Sequence, residues 1–171
     1  MLKRNDLIFR EVQRFSLWFR LPFALCIPLL VWIAVCPEKM VGVEPDSLAS
    51  TWFVWVVVFL IVVSIVISII FIITKLETEV RPEGLYVRFF PIHTQYRKFT
   101  ADSLSEYYVC KYRPVLEYGG WGIRYSSKGK AYNMSGNKGV QLILKSGKRL
   151  LIGSKRPQEL AEAINAFMSD T

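Results

Sequence analysis

The sequence predicts a membrane α-helical hairpin of two transmembrane helices, followed by a mainly-β domain that ends in a helix. Three observations predict this class. Of the 171 residues, 52% are hydrophobic and the mean hydropathy is +0.28, whereas ordinary soluble domains have roughly 45–50% apolar residues even when glycine is counted. No charged residue occurs from 21 to 37 or from 47 to 74. After residue 75 the apolar residues alternate with polar ones. A purely soluble enzyme is therefore excluded.

The second apolar stretch is the clearer membrane span. Residues 52–74 contain a run of 22 residues in which 18 are Leu, Ile, Val or Phe. A helix of that length covers about 33 Å, close to the roughly 30 Å hydrocarbon core of a bilayer. Ser64 and Ser68 lie four residues apart on one helix face. They indicate either a helix–helix contact or two hydroxyls bonded to carbonyls one turn back.

The first apolar stretch, residues 17–36, is predicted to be the other span. Pro22 falls in its first turn, where a helix tolerates proline, and Pro28 predicts a kink. Residues 37–50 then form a loop outside the cytoplasm. Five residues at or near the ends of the spans are predicted to anchor them at the membrane interface: Arg14, Trp18, Arg20, Trp52 and Lys75.

Residues 1–16 form a basic amphipathic segment. Ile8, Val12 and Phe15 follow helical spacing, with Lys3 and Arg10 on the opposite face. This spacing indicates either an amphipathic helix lying in the cytoplasmic interface or a continuation of the first span into water.

Orientation follows from the positions of lysine and arginine. The first 20 residues carry five of them, but the loop at 37–50 carries one. Positively charged flanks stay in the cytoplasm. We therefore expect an integral protein of the cytoplasmic (inner) membrane with both termini in the cytoplasm.

Residues 75–171 predict one cytoplasmic β domain of about seven strands. A closing helix begins at Pro157, because Leu160, Ile164 and Phe167 repeat at helical spacing. The predicted strands are 85–90, 94–99, 104–112, 121–126, 130–135, 140–145 and 148–152.

This order of elements resembles the pleckstrin-homology (PH) superfold, and the whole chain is similar to small bacterial membrane proteins with two N-terminal spans and a PH-like domain. The resemblance rests on residues 11–15, 81–85, 118–125 and 150–160. It implies an architecture rather than a reaction, and it implies a capacity for ring-like self-association.

The residues offer little catalytic chemistry. His93 is a lone histidine in a predicted turn, and Cys26, Cys36 and Cys110 are too far apart to pair. The glycine-rich run at 118–122 lacks the spacing of a phosphate-binding loop. We therefore expect no enzyme activity, no catalytic residue, no metal site and no cofactor.

Charge is the remaining functional signal. The β domain has 16 Lys and Arg against 9 Asp and Glu. This excess predicts a binding module that contacts anionic lipid headgroups or a phosphorylated ligand. The alternative interpretation is that the basic surface only keeps the domain soluble. Nucleic acid is disfavoured, because the charge is spread over turns. The alternative is an assembly subunit that pairs with itself or with another membrane protein. The candidate contact residues are Arg124, Lys128, Lys130 and Lys138.

Overall fold

The computed structural model describes residues 7–16, 21–35 and 48–169, and it divides the chain into two compact units. The helical unit is Phe15–Ile73, and the β body combines Met1–Arg14 with Thr74–Thr171. The elements are β1 (Phe9–Arg14), α1 (Leu21–Val35), α2 (Leu48–Ile73), β2 (Lys75–Arg81), β3 (Gly84–Phe90), β4 (Arg97–Phe99), β5 (Leu104–Lys111), α3 (Pro114–Tyr118), β6 (Gly122–Ser126), β7 (Gly129–Asn133), β8 (Lys138–Leu144), β9 (Arg149–Gly153) and α4 (Pro157–Ser169).

The N-terminal segment contains a β-strand, so the helical interpretation of its described part is wrong. β1 pairs antiparallel with β2 along its whole length, from Phe9 opposite Val80 to Arg14 opposite Lys75. Its side chains alternate between buried and exposed, with period two rather than 3.6. The helical unit is thus inserted between two neighbouring strands of one sheet.

The predicted hairpin of two membrane spans is also wrong. Among the described residues only one helix segment, Trp52–Ile73, is long and apolar enough to cross a membrane. α1 has 15 residues, which at 1.5 Å per residue give about 22 Å, less than the hydrocarbon core. Residues 17–20 and 36–47, which include the expected loop, lie outside the described residues.

α2 exposes most of its apolar surface. Trp52, Trp55 and Phe59 are each at least 65% exposed, although α1 packs against α2 within the helical unit. The Ser68 hydroxyl donates to the Ser64 carbonyl at 2.8 Å, which is the bond one turn back that the spacing allowed. An apolar helix this exposed lacks the covering expected of a core helix in water.

The described part of the β body has a four-stranded and a five-stranded sheet. The prediction was a PH-like domain of about seven strands, so the predicted fold is wrong. The four-stranded sheet has the order β1-β2-β3-β4 and is antiparallel. The five-stranded sheet has the order β5-β8-β9-β7-β6, and β7 lies parallel to β9. The two strands that the prediction lacked, β1 and β2, flank the helical unit.

The core of the β body is closed by α4. Its apolar face buries Leu160, Ile164 and Phe167 completely, and the helix begins at Pro157 as the spacing predicted. It contacts strands of both sheets. Full burial of each such side chain stabilises the fold by about 1.5–3 kcal/mol.

Two buried polar side chains attach β1 to the C-terminal part of the chain. Glu11 accepts hydrogen bonds from the Ser154 hydroxyl at 2.5 Å and from the Lys155 backbone N–H at 2.9 Å. Gln13 donates to the Gly153 carbonyl at 2.8 Å. These contacts join residues at opposite ends of the sequence and satisfy polar groups that would be costly to bury alone.

A buried carboxylate organises the other face of the four-stranded sheet. Glu77 lies on β2, is 2% exposed, and accepts hydrogen bonds from Lys75, Arg88 and Tyr96. Burial opposes its ionisation, but the hydrogen bonds outweigh burial and lower the pKa of Glu77 from 4.5 to about 2. Glu79, two residues further along β2, forms an ion pair with Arg81, with 2.6 Å between Oε2 and Nη2.

Replacing Glu77 with glutamine should destabilise the β body by about 3 kcal/mol, because Lys75 and Arg88 lose the charge that compensates them. Because the folded pKa is depressed, the stabilisation is present above pH 4.5 and is lost as the pH falls towards about 2. Urea unfolding of the full chain in mild detergent, followed by circular dichroism, measures both effects.

The matched control is Glu83→Gln, which removes an exposed carboxylate that bonds only to Tyr86 among the described residues. It should change the free energy of unfolding by less than about 0.5 kcal/mol. An unchanged acid transition in the Glu77→Gln variant would contradict the assignment.

Candidate functional site: a basic cleft in the β body

A cleft of about 650 Å³ lies where the two sheets of the β body meet. β4 contributes Arg97 and Phe99 from the four-stranded sheet. The β6–β7 hairpin and the β8–β9 hairpin supply the rest of the wall from the five-stranded sheet. The cleft therefore depends on both sheets and on the turns between their strands.

The charged residues that line this basic cleft are all cationic. Of its cationic side chains, only Lys128 has a carboxylate within ion-pair distance among the described residues, at 3.2 Å from Glu117. No aspartate or glutamate belongs to the described lining. Such a surface attracts anions, because its positive potential is not cancelled locally. The cations are Arg97, Lys128, Lys130, Lys148 and Arg149.

Lys130 is held between two aromatic rings. Its ammonium lies 4.8 Å from the centre of the Tyr125 ring and 4.7 Å from the centre of the Tyr132 ring. This cation–π geometry positions the charge. Tyr125 is 73% exposed, and the Lys130 ammonium beside it lowers the pKa of Tyr125. The cleft thus combines positive charge with aromatic and aliphatic surface.

His93 packs against the cleft wall, and cations of the cleft affect its pKa. The imidazole ring meets the Tyr132 ring edge-on at 5.7 Å between centroids. Burial lowers the pKa of His93, and the positive charges of Arg97 and Lys130 lower it further. These effects favour the neutral imidazole, so the positive charge of the cleft comes from its lysines and arginines.

The structure brings two of the four predicted contact residues into the cleft. Lys128 and Lys130 line it, whereas Arg124 lies on β6, where its Nε donates to the Trp121 carbonyl at 2.9 Å. Lys138 begins β8 opposite Lys111, outside the cleft lining.

Sequence reasoning missed three cleft residues as site candidates: Arg97, Lys148 and Arg149. A signal existed for Lys148 and Arg149, because both directly follow Gly147 in the tight β8–β9 turn. Arg97 carried no such signal, because only the meeting of two sheets places β4 beside the β6–β7 hairpin.

The predicted interface anchors divide into three groups. Arg14 ends β1, and Trp52 lies on α2 with 74% exposure. Lys75 begins β2 and forms an ion pair with Glu77 at 2.7 Å, so its charge compensates a carboxylate of the same sheet. Trp18 and Arg20 lie outside the described residues.

A second, smaller cavity of about 260 Å³ contains Cys110. Burial raises the pKa of the Cys110 thiol, which disfavours the reactive thiolate. Tyr112 and Tyr118 stack edge to face beside it at 6.0 Å, and burial raises the pKa of Tyr112 to about 12. Within the described ranges no three His, Cys, Asp or Glu side chains cluster as metal ligands would.

Fold and site together define a two-unit protein, in which an apolar helical unit interrupts a β body with a basic cleft. The chain belongs to the family described as a family of unknown function (DUF6141), whose model matches residues 2–170. No curated protein and no solved structure matches the chain.

The cleft wall requires a glycine at position 129. Gly129 has φ +111°, and a Cβ there would meet the Arg149 carbonyl oxygen at 2.4 Å. Gly129→Ala should therefore destabilise the β body by about 1–3 kcal/mol, because the backbone is strained and β7 must move away from β9. The thermal midpoint of the full chain in detergent measures this.

Gly147→Ala is the matched control. Gly147 also has a positive φ of +77°, but open space surrounds its Cβ position. This substitution should cost only the backbone strain, about 1–2 kcal/mol, and in any case less than Gly129→Ala. Equal losses in the two variants would show that the approach to Arg149 does not matter.

Proposed function

We propose that this protein is a non-catalytic, membrane-anchored binding module whose basic cleft takes the phosphate of anionic lipid headgroups. Trp52–Ile73 is the anchor in this proposal. The β body lies on the cytoplasmic side, as the excess of lysine and arginine in residues 1–20 favours.

One observation carries the proposal: five cations line one cleft, and no described carboxylate belongs to its lining. Each basic side chain near an anionic membrane surface contributes about 1 kcal/mol. Aliphatic and aromatic side chains in the same cleft, such as Phe99 and Leu150, suit a ligand that has glycerol or acyl carbons beside its phosphate.

The covalent anchor makes weak binding sufficient. A tethered site meets its ligand at an effective concentration in the millimolar range for a short flexible linker. A headgroup site with modest intrinsic affinity would therefore be occupied whenever the local leaflet contains anionic lipid.

Removing cleft cations should weaken binding selectively. For the full chain in nonionic detergent, Lys130→Gln and Arg149→Gln should each weaken binding of short-chain phosphatidylglycerol about fivefold, as expected for about 1 kcal/mol per charge. Calorimetric titration measures the Kd, and binding should weaken as salt is raised.

Lys138→Gln makes the same charge change outside the cleft and should leave the Kd unchanged. Short-chain phosphatidylcholine should bind at least tenfold more weakly than phosphatidylglycerol, because it has no net charge for the cleft to attract. If inorganic phosphate competes as well as the lipid does, the ligand is a free phosphorylated solute. Equal binding of both lipids would overturn the proposal altogether.

The strand pairing supports a further expectation about sidedness. Because Arg14 pairs with Lys75, the chain leaves and re-enters the β body at one place. Because β1 and β2 are paired strands of one sheet, they lie on the same side of the membrane, and we expect both termini on that side. A reporter that folds only outside the cytoplasm should be inactive when fused before Met1 and when fused after Thr171. Activity at either terminus would contradict the proposed orientation.

A further inference from the structure

The short helix α3 presents apolar side chains to solvent. Leu116 is 78% exposed, the highest value among the large hydrophobic residues described, and its neighbour Val115 is 59% exposed. We refer to these two residues as the apolar tip. Large apolar side chains that are exposed to water together are typical of a surface that binds a protein, a membrane or a ligand.

The apolar tip is held firmly. Pro114 begins α3, and Gly119 ends it in the left-handed conformation, with its N–H bonded to the Val115 carbonyl at 2.9 Å. Tyr118 is buried and packs against Tyr112. These contacts fix the backbone of α3, and the tip is exposed on a well-held turn of helix.

Two exposed cations directly precede the apolar tip in the chain. Arg113 directly precedes α3, Lys111 lies two residues earlier, and both are exposed. The acid of the helix, Glu117, is paired with Lys128 at 3.2 Å. An apolar projection preceded by basic side chains matches the boundary of an anionic bilayer, where aliphatic groups reach the acyl region and basic groups stay at the headgroups.

α3, which carries the apolar tip, is joined to the basic cleft by an ion pair. Lys128 pairs with Glu117 on α3 and also lines the cleft. Glu117 lines the smaller cavity together with Lys128 and Arg149, which also line the cleft. A lipid surface that fills the cleft with headgroups would therefore lie beside the tip.

We propose that the apolar tip inserts into the headgroup–acyl boundary of an anionic bilayer while the cleft binds the headgroup phosphates. The partner is the lipid surface itself. This inference rests on the proposed function, and it adds an insertion element that the cleft alone does not require.

The depth of residue 116 tests the insertion directly. The full chain is reconstituted in vesicles of phosphatidylcholine with phosphatidylglycerol, with Leu116→Cys carrying a nitroxide in a background where the native cysteines are serine. Collisions with oxygen should increase severalfold relative to collisions with a water-soluble nickel chelate. The same label at Gln158→Cys, on the exposed side of α4, should stay aqueous. A label at 116 as aqueous as that at 158 would overturn the inference.

Substitution of an apolar side chain of the tip tests the role of the tip separately from that of the cleft. In the same vesicles, acylation of Lys130 reports how well lipid covers the cleft. Leu116→Ser should increase that acylation about tenfold, as expected when one buried leucine is lost. Ile92→Ser removes a side chain of similar exposure, 67%, from another turn and should have no effect.

The two proposals fail differently. If Leu116→Ser matches Ile92→Ser while Lys130→Gln still weakens binding of short-chain phosphatidylglycerol in detergent, the tip proposal is wrong and the cleft proposal stands. If the lipid in detergent is indifferent to Lys130→Gln, the cleft proposal is wrong, whatever the depth at 116.

Discussion

The pairing of β1 with β2 is the constraint on which this structure depends. It makes the helical unit an insertion between neighbouring strands, rather than an N-terminal attachment to a separate domain. β1 also carries two buried polar side chains that reach residues 153–155. The Ser154 hydroxyl and the Lys155 backbone N–H donate to the two carboxylate oxygens of Glu11, and the Gln13 amide nitrogen donates to the Gly153 carbonyl.

Opposite charges are segregated across the β body. On the four-stranded sheet, Glu77 and Glu79 collect the surrounding cations: Arg10, Lys75, Arg81 and Arg88. In the basic cleft, by contrast, only Lys128 meets a carboxylate among the described residues. The acids therefore stabilise one sheet internally, whereas the positive potential of the cleft is not cancelled by carboxylates among its described lining residues. Net charge alone does not distinguish these two uses of a lysine or an arginine.

Much of the β body could be predicted from period-two alternation, since each of the seven predicted strands overlaps an observed one. β2 has the clean alternation Lys-Leu-Glu-Thr-Glu-Val-Arg, but its charges suggested the flank of a membrane span. β1 was unpredictable in this way, because it buries Glu11 and Gln13 and leaves Val12 exposed. Its hydrophobic spacing therefore imitates a helix. The cleft could be predicted only in part, because Arg97 joins Lys130 through tertiary packing.

The position of β1 also has a consequence for the order of events during synthesis. β1 leaves the ribosome before its partner strand β2, which emerges only after the entire helical unit, and Ser154 emerges later still. Native contacts over such sequence separations form late. The six residues of β1 therefore cannot pair with β2 until α2 has been synthesised. Closure of the four-stranded sheet follows synthesis of the most apolar helix of the chain.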